Sequence, residues 1–153
     1  NMKLDVNIGS GLYLDGDGKI CSNVPLKYTV YGETTDDTKT ELFTDGMAGK
    51  ITVDEDYAYF FEILCIGVQT GGTAGTEGDT WMKKIVGSIA NKGATTAILG
   101  TNVDIYDDGD IALTVVIDVE ADDTNDSLKI SVTGEVDKTI SWTADVNIIK
   151  RAL

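Results

Sequence analysis

Apolar and polar side chains alternate with a period of two along most of the chain, which predicts β-strands with one dry and one wetted face. The clearest case lies near the end. Leu128, Ile130 and Val132 alternate with Lys129, Ser131 and Thr133, while Ile140, Trp142, Ala144, Val146 and Ile148 alternate with Ser141, Thr143, Asp145 and Asn147. Gly134, Glu135, Val136 and Asp137 separate the two runs. A short polar link whose glycine is free to take a positive φ predicts a hairpin over 121–149, with Trp142 as a core anchor on its inner face.

Earlier in the chain, Leu26, Tyr28 and Val30 predict a strand over 25–31, with Pro25 at its start, where a missing amide donor does least harm. After a polar turn over 32–40, residues 41–44 and 50–53 read as short strands about Asp45-Gly46. Residues 57–70, YAYFFEILCIGVQT, are apolar on both faces: Tyr59, Phe61, Ile63 and Cys65 on one, Phe60, Leu64, Ile66 and Val68 on the other. Such a strand is central in a structure packed on both sides, or it meets a partner subunit with its second face. Tyr59, Phe61 and Ile63 are therefore core or interface candidates, with Trp142. Glu62, within that run, is a satisfied core charge, an interface contact or a sheet-edge residue.

Residues 71–79, GGTAGTEGD, form a flexible hairpin tip without the lysine of a phosphate-binding loop. Two periods compete over 81–91. Trp81, Ile85 and Ile89 fit a helix that Gly93 would cap, whereas Trp81, Lys83, Ile85, Gly87 and Ile89 fit a strand. Gly87 and Ser88 weaken the helix, so the strand is preferred. Short strands over 95–99 and 102–106 follow, then one over 111–120 with Ile111, Leu113, Val115, Ile117 and Val119 inward.

About nine or ten short strands, a single proline and no convincing helix predict an all-β fold, an antiparallel β-sandwich or jelly roll. The sandwich domain is assigned to 25–153, and 1–24 to an N-terminal arm or short edge strands. At 153 residues the chain is one domain's worth. No secretory signal is visible, and Asn1 before Met2 marks a fragment, a processed product or an added residue.

Charge narrows the function classes. Twelve basic residues against 26 acidic ones give a formal net charge of -14, a surface that repels phosphate backbones and anionic lipid. Nucleic-acid binding and membrane insertion are disfavoured. Histidine is absent, which removes the commonest general base and the usual ligand of catalytic zinc. Cys21 and Cys65 lack metal-binding spacing, and Cys65 reads as a small buried hydrophobe. No cofactor is expected.

Acidic clusters remain as candidate chemistry. Asp15 and Asp17, in Asp-Gly-Asp-Gly-Lys, resemble the first ligands of a calcium loop, but Lys19 stands where a third oxygen belongs and no glutamate closes the loop, so a β-turn is preferred. Nine acids and no lysine or arginine lie between Lys92 and Lys129. Asp107-Asp108-Gly109-Asp110 and residues 122–126 are good turn sequences, read as solvated turns before calcium ligands. Thr73, Glu77 and Asp79 in one loop, with Asp107, Asp108 and Asp110 in another, are the candidate recognition residues. The tyrosines 13, 28, 31, 57, 59 and 106 would stack on sugars if exposed, although strand tyrosines are more often packing residues.

Four segments in order, TTDDTKTELF followed by Asp45-Gly46, GATTAILG over 93–100, ADDTNDSLKISVTG over 121–134 and KTISW over 138–142, resemble a domain common near the C-terminal ends of tailed-bacteriophage tail fibres and other virion structural proteins. The chain departs from that pattern at 68–72 and at Ser141, where such proteins tend to carry arginines, so contacts made by those arginines are not carried over. The resemblance implies a non-enzymatic virion component, a homotrimer that contacts other virion proteins and attaches through its loops to a host-surface glycan or protein. The alternative is a capsid decoration or head-fibre protein. A two-carboxylate glycan hydrolase is disfavoured, because nothing in the sequence fixes two acids at a working separation.

Overall fold

The computed structural model describes residues 12–14, 20–22, 25–100, 103–109 and 116–153, of which 12–14, 20–22 and 103–109 are described as backbone only. Their regular structure is all β. The strands are β1 (Leu12–Leu14), β2 (Ile20–Ser22), β3 (Leu26–Thr34), β4 (Lys39–Glu41), β5 (Ile51–Thr52), β6 (Tyr57–Gly72), β7 (Thr80–Asn91), β8 (Thr96–Ile98), β9 (Val103–Gly109), β10 (Val116–Asp122), β11 (Ser127–Thr133) and β12 (Lys138–Ala152). Nine of these have described side chains. All strand ladders are antiparallel. The competition over 81–91 resolves as the strand β7.

A large sheet runs β3-β12-β6-β7, with β8 and β9 sharing the far edge of β7. A smaller sheet runs β10-β11, and β4 and β5 pair with successive parts of β11. Among the described residues, β1 and β2 pair only with each other. Period two decides which side chains are buried. Val30, Tyr59, Phe61, Ile63, Ile85, Ile89, Ala144, Val146 and Ile148 from the large sheet join Ile51, Ile117, Leu128, Ile130 and Val132 from the smaller one in a single buried cluster. Tyr59, Phe61, Ile63 and Trp142 are thus all core residues, each almost fully buried.

The hairpin expected over 121–149 does not form. β11 belongs to the smaller sheet and β12 to the large one, so residues 134–137 cross between sheets. Alternation identifies the faces of both strands correctly but carries no information about partners. β12 lies between β3 and β6, and β11 hairpins with β10 instead. Nor is Gly134 the residue with positive φ; that is Asp137, at 64°. Gly134 is needed for close approach, because a Cβ there would run into Thr34 Oγ1 and, at 2.8 Å, the Asp36 carbonyl.

A second glycine shapes the core. Gly67 on β6 lies directly between Trp142 of β12 and Trp81 of β7. The two indoles meet edge to face, with centroids 5.5 Å apart and planes at 77°. A Cβ on Gly67 would stand 2.5 Å from the Trp142 ring, so the missing side chain makes room for the pair. Trp142 Nε1 donates to Thr34 Oγ1 at 2.9 Å, which satisfies the one polar atom of a fully buried side chain.

The sheets are joined along both sides. Near β3, Tyr31 and Phe43 exchange backbone hydrogen bonds while the Leu42 amide donates to the Ile130 carbonyl. Near β8, the Thr96 amide donates to Asp123 and its hydroxyl to Asp126. The acids of the 122–126 turn therefore do more than face solvent. Asp122 accepts from Asn125, and Asp123 and Asp126 hold β8.

Candidate functional site

The loop joining β6 to β7 carries Thr73, Glu77 and Asp79. Its sequence predicts a flexible tip, yet it is folded back on a buried side chain. Gln69 Nε2 donates to the carbonyls of Gly71 (3.1 Å) and Ala74 (2.5 Å), and its backbone pairs with Gly78 and Asp79. Thr73 and Ala74 donate their amides to the Asp137 carbonyl, and Asp79 caps Thr76. Gly72 and Gly75, at φ of 108° and 71°, allow the reversal. Glycine content alone suggests freedom; Gln69 is the anchor that removes it.

Backbone register brings a second candidate segment to the same end of the large sheet. Asp107, Asp108 and Gly109 are not a turn but the last residues of β9, paired opposite Lys83, Met82 and Trp81 where β7 leaves the loop. Residues 134–137 reach this end too, through Asp137. Asp110, Asp15 and Asp17 lie outside the described residues. Among the described residues, no group of three or more His, Cys, Asp or Glu side chains is placed to hold a metal ion. None of the described helices is long and apolar enough to cross a membrane, since no helix is described.

The two outward sheet faces differ sharply. On the smaller sheet, Lys39 bridges Asp118 and Glu120 at 3.0 Å each, Lys50 bridges Glu41 and Asp122 at 2.7 and 3.2 Å, and Lys129 approaches Glu120. Asp118 holds the Lys39 ammonium above its ordinary pKa, with Glu120 adding to it, and Glu41 does the same for Lys50. This face is an ionic lattice covering Ser127 and Ser131, both buried. The exposed Lys39 pairs add little stability singly, the Lys50 pairs are partly buried, and together they keep the face wet.

The large sheet shows a different face. Phe60, Leu64, Ile66 and Val68 project outward from β6, beside Met82 of β7 and Ile149 of β12. Phe60 is 52% exposed, Leu64 46% and Ile149 64%. A shallow depression of about 320 Å³ lies among Leu64, Ile66, Met82, Lys84, Thr143 and Asp145. Glu62 resolves here as a surface charge paired with Lys84 at 2.7 Å. The two-faced run over 57–70 signals this surface in the sequence, whereas Met82 and Ile149, isolated among polar neighbours, do not.

Of the tyrosines, Tyr31 is 45% exposed on the outward face of β3, and Tyr59 is buried, its hydroxyl accepting the Asp54 amide. The turn expected at Asp45-Gly46 is present, but its capping by the Asp45 side chain is not foreseen from the sequence. Asp45 accepts the amides of Met47, Ala48 and Gly49 at 2.7–2.9 Å, which lowers its pKa to about 2, the Gly49 amide contributing most. Met47 is left 81% exposed on this rigid tip. An aspartate four residues before a glycine is the sequence signal for that capping. No family model matches the chain, and a search of characterised proteins finds none similar to it.

Proposed function

We propose that the chain is a bacteriophage virion structural protein, a tail-fibre or receptor-binding domain with a β-sandwich, jelly-roll-like body, working as a homotrimer without catalysis. The observation that carries this reading is where the resembling segments meet. Thr34 of the first accepts a hydrogen bond from Trp142 of the last. Thr96 of the second is held by Asp123 and Asp126 of the third. Leu42 of the first donates to Ile130 of the third. Segments scattered over a hundred residues of chain thus form one bonded framework, which is how a shared architecture, and not a shared site, appears in sequence.

The recognition surface in this reading is the loop end. A loop held by Gln69 presents Thr73 and Glu77 with little ordering entropy left to lose on contact with a host glycan or protein. Gold-labelled antibody against the chain, imaged on intact particles by electron microscopy, tests the assignment. Label at fibre tips, with purified protein competing for adsorption to host cells, is the expected result. Label over the head would make the chain a capsid decoration protein, and particles without label would remove both readings.

A further inference from the structure

We propose that the outward face of the large sheet is the surface through which copies of this chain bind one another. This rests on the homo-oligomeric reading above and names its interface. The apolar side chains Phe60 and Ile149 on one side of the Glu62–Lys84 ion pair, and Leu64, Ile66, Val68 and Met82 on the other, lie along β6 and its neighbours, and no described residue covers them. The opposite sheet, with its lattice of lysines and carboxylates, shows how this molecule treats a face meant for water.

Charge points to a second copy as the occupant. The outward rows of β3, β12, β6 and β7 carry Lys27, Lys84 and Arg151 against Glu33, Glu62 and Asp145, so the face is neutral within a chain of net charge -14. Two such acidic molecules repel through almost any other surface and least through this one. Size agrees. Four strands at ~4.8 Å and about ten residues at ~3.3 Å make a face of roughly 630 Å², at the lower end of the ~600–1,000 Å² per partner of a stable interface. The face also holds unlike parts, the protruding Phe60 and Ile149 and the depression beside Leu64, Ile66 and Met82, so one copy's ridge can fill the next copy's hollow.

Sedimentation velocity and light scattering on the full chain, between about 1 and 200 μM, test this. The wild type is expected to self-associate, with Kd falling at least about tenfold from 0.05 to 0.5 M NaCl, because salt screens the net repulsion and leaves apolar contact intact. Leu64→Glu and Ile66→Glu, both outward and clear of the core, are expected to be folded monomers throughout. Val136→Glu, exposed in the crossing between the two sheets, should associate as the wild type does. If a glutamate variant fails to fold by circular dichroism, Ile66→Thr replaces it, with association weakened at least about tenfold. A wild type that stays monomeric at 200 μM in 0.5 M NaCl overturns the proposal. So does an oligomer that survives Leu64→Glu, although the virion reading would then stand with a different interface. Association through this face by a chain that labels no virion keeps the interface and removes the virion reading.

Discussion

Replacing Gly67 with alanine tests the packing of the core at its tightest point. The new Cβ would lie 2.5, 2.7 and 2.9 Å from three carbons of the Trp142 ring, inside any real carbon–carbon contact. Trp142 cannot simply move away. It is fully buried, its Nε1 is bonded to Thr34, and Trp81 stands against it. Forcing one methyl into such a site costs about 1–3 kcal/mol, and disturbing the edge-to-face pair adds about 0.5–1.5 kcal/mol. Alanine's smaller unfolded-state entropy returns about 0.4–1 kcal/mol. Gly67→Ala is therefore expected to destabilise by about 2 kcal/mol, a Tm fall of about 4–8 °C in a chain of this length.

Urea unfolding followed by far-UV circular dichroism measures the change, and tryptophan fluorescence adds a local readout because Trp81 and Trp142 are the only tryptophans. The mechanism makes a sharper demand than the sign alone. In a Trp142→Leu background the clash has no partner, so Gly67→Ala should become neutral or mildly stabilising, a coupling of about 2 kcal/mol. A Gly67→Ala protein within 0.5 kcal/mol of wild type, or the same penalty in both backgrounds, would refute the reasoning.

Four further expectations follow from single contacts. Thr34→Val strands the buried Trp142 N–H and should cost about 1–3 kcal/mol by urea unfolding, while Thr34→Ser should recover most of it. Ala94 has φ of 59° in the two-residue turn between β7 and β8, so Ala94→Gly should raise stability by about 0.5–1 kcal/mol, the relieved left-handed strain outweighing added chain entropy. Asp45 has its folded pKa lowered from 3.8 to about 2, so its contribution is present above the unfolded value and lost as pH falls through about 2; the Tm gap between wild type and Asp45→Ala should be constant above pH 5 and close between pH 4 and 2. Burial pushes the Cys65 thiol up to about 12, so peptide mapping should find it unalkylated at pH 8 until the protein is unfolded.

The sequence makes strand faces legible and strand partners much less so. Period two in 140–148 and 57–70 follows directly from the pleat, and the residues it assigns inward, Trp142, Tyr59, Phe61 and Ile63, are buried. Pairing depends on tertiary choices that leave no local mark. β11 and β12 are separated by four residues and still enter different sheets, and Asp137, not Gly134, takes the left-handed conformation in the link. Likewise Gly67 reads as one more residue in an apolar run, and its purpose appears only when two tryptophans from different strands converge on it. Asp107-Asp108-Gly109 has turn composition, yet the free edge of β7 takes it as a strand. Local chemistry loses there to unpaired backbone groups that need partners.

The same distinction bears on where function lies. Residues that mark the chain by resemblance, Thr34, Thr96, Asp123, Asp126 and Trp142, are engaged with one another, so substituting them would test folding and say little about recognition. Residues free to act on another molecule lie on surfaces that folding leaves unused: the tip held by Gln69, the Met47 turn, and the outward strip of β6. The strip differs from the other two in kind. The Met47 turn exposes a single apolar side chain, whereas several large ones held in water along the strip, Phe60 and Ile149 among them, forgo about 25 cal/mol for each Å² that a partner would cover. Among these surfaces it is the one on which contact with another chain would yield the most free energy from burial alone.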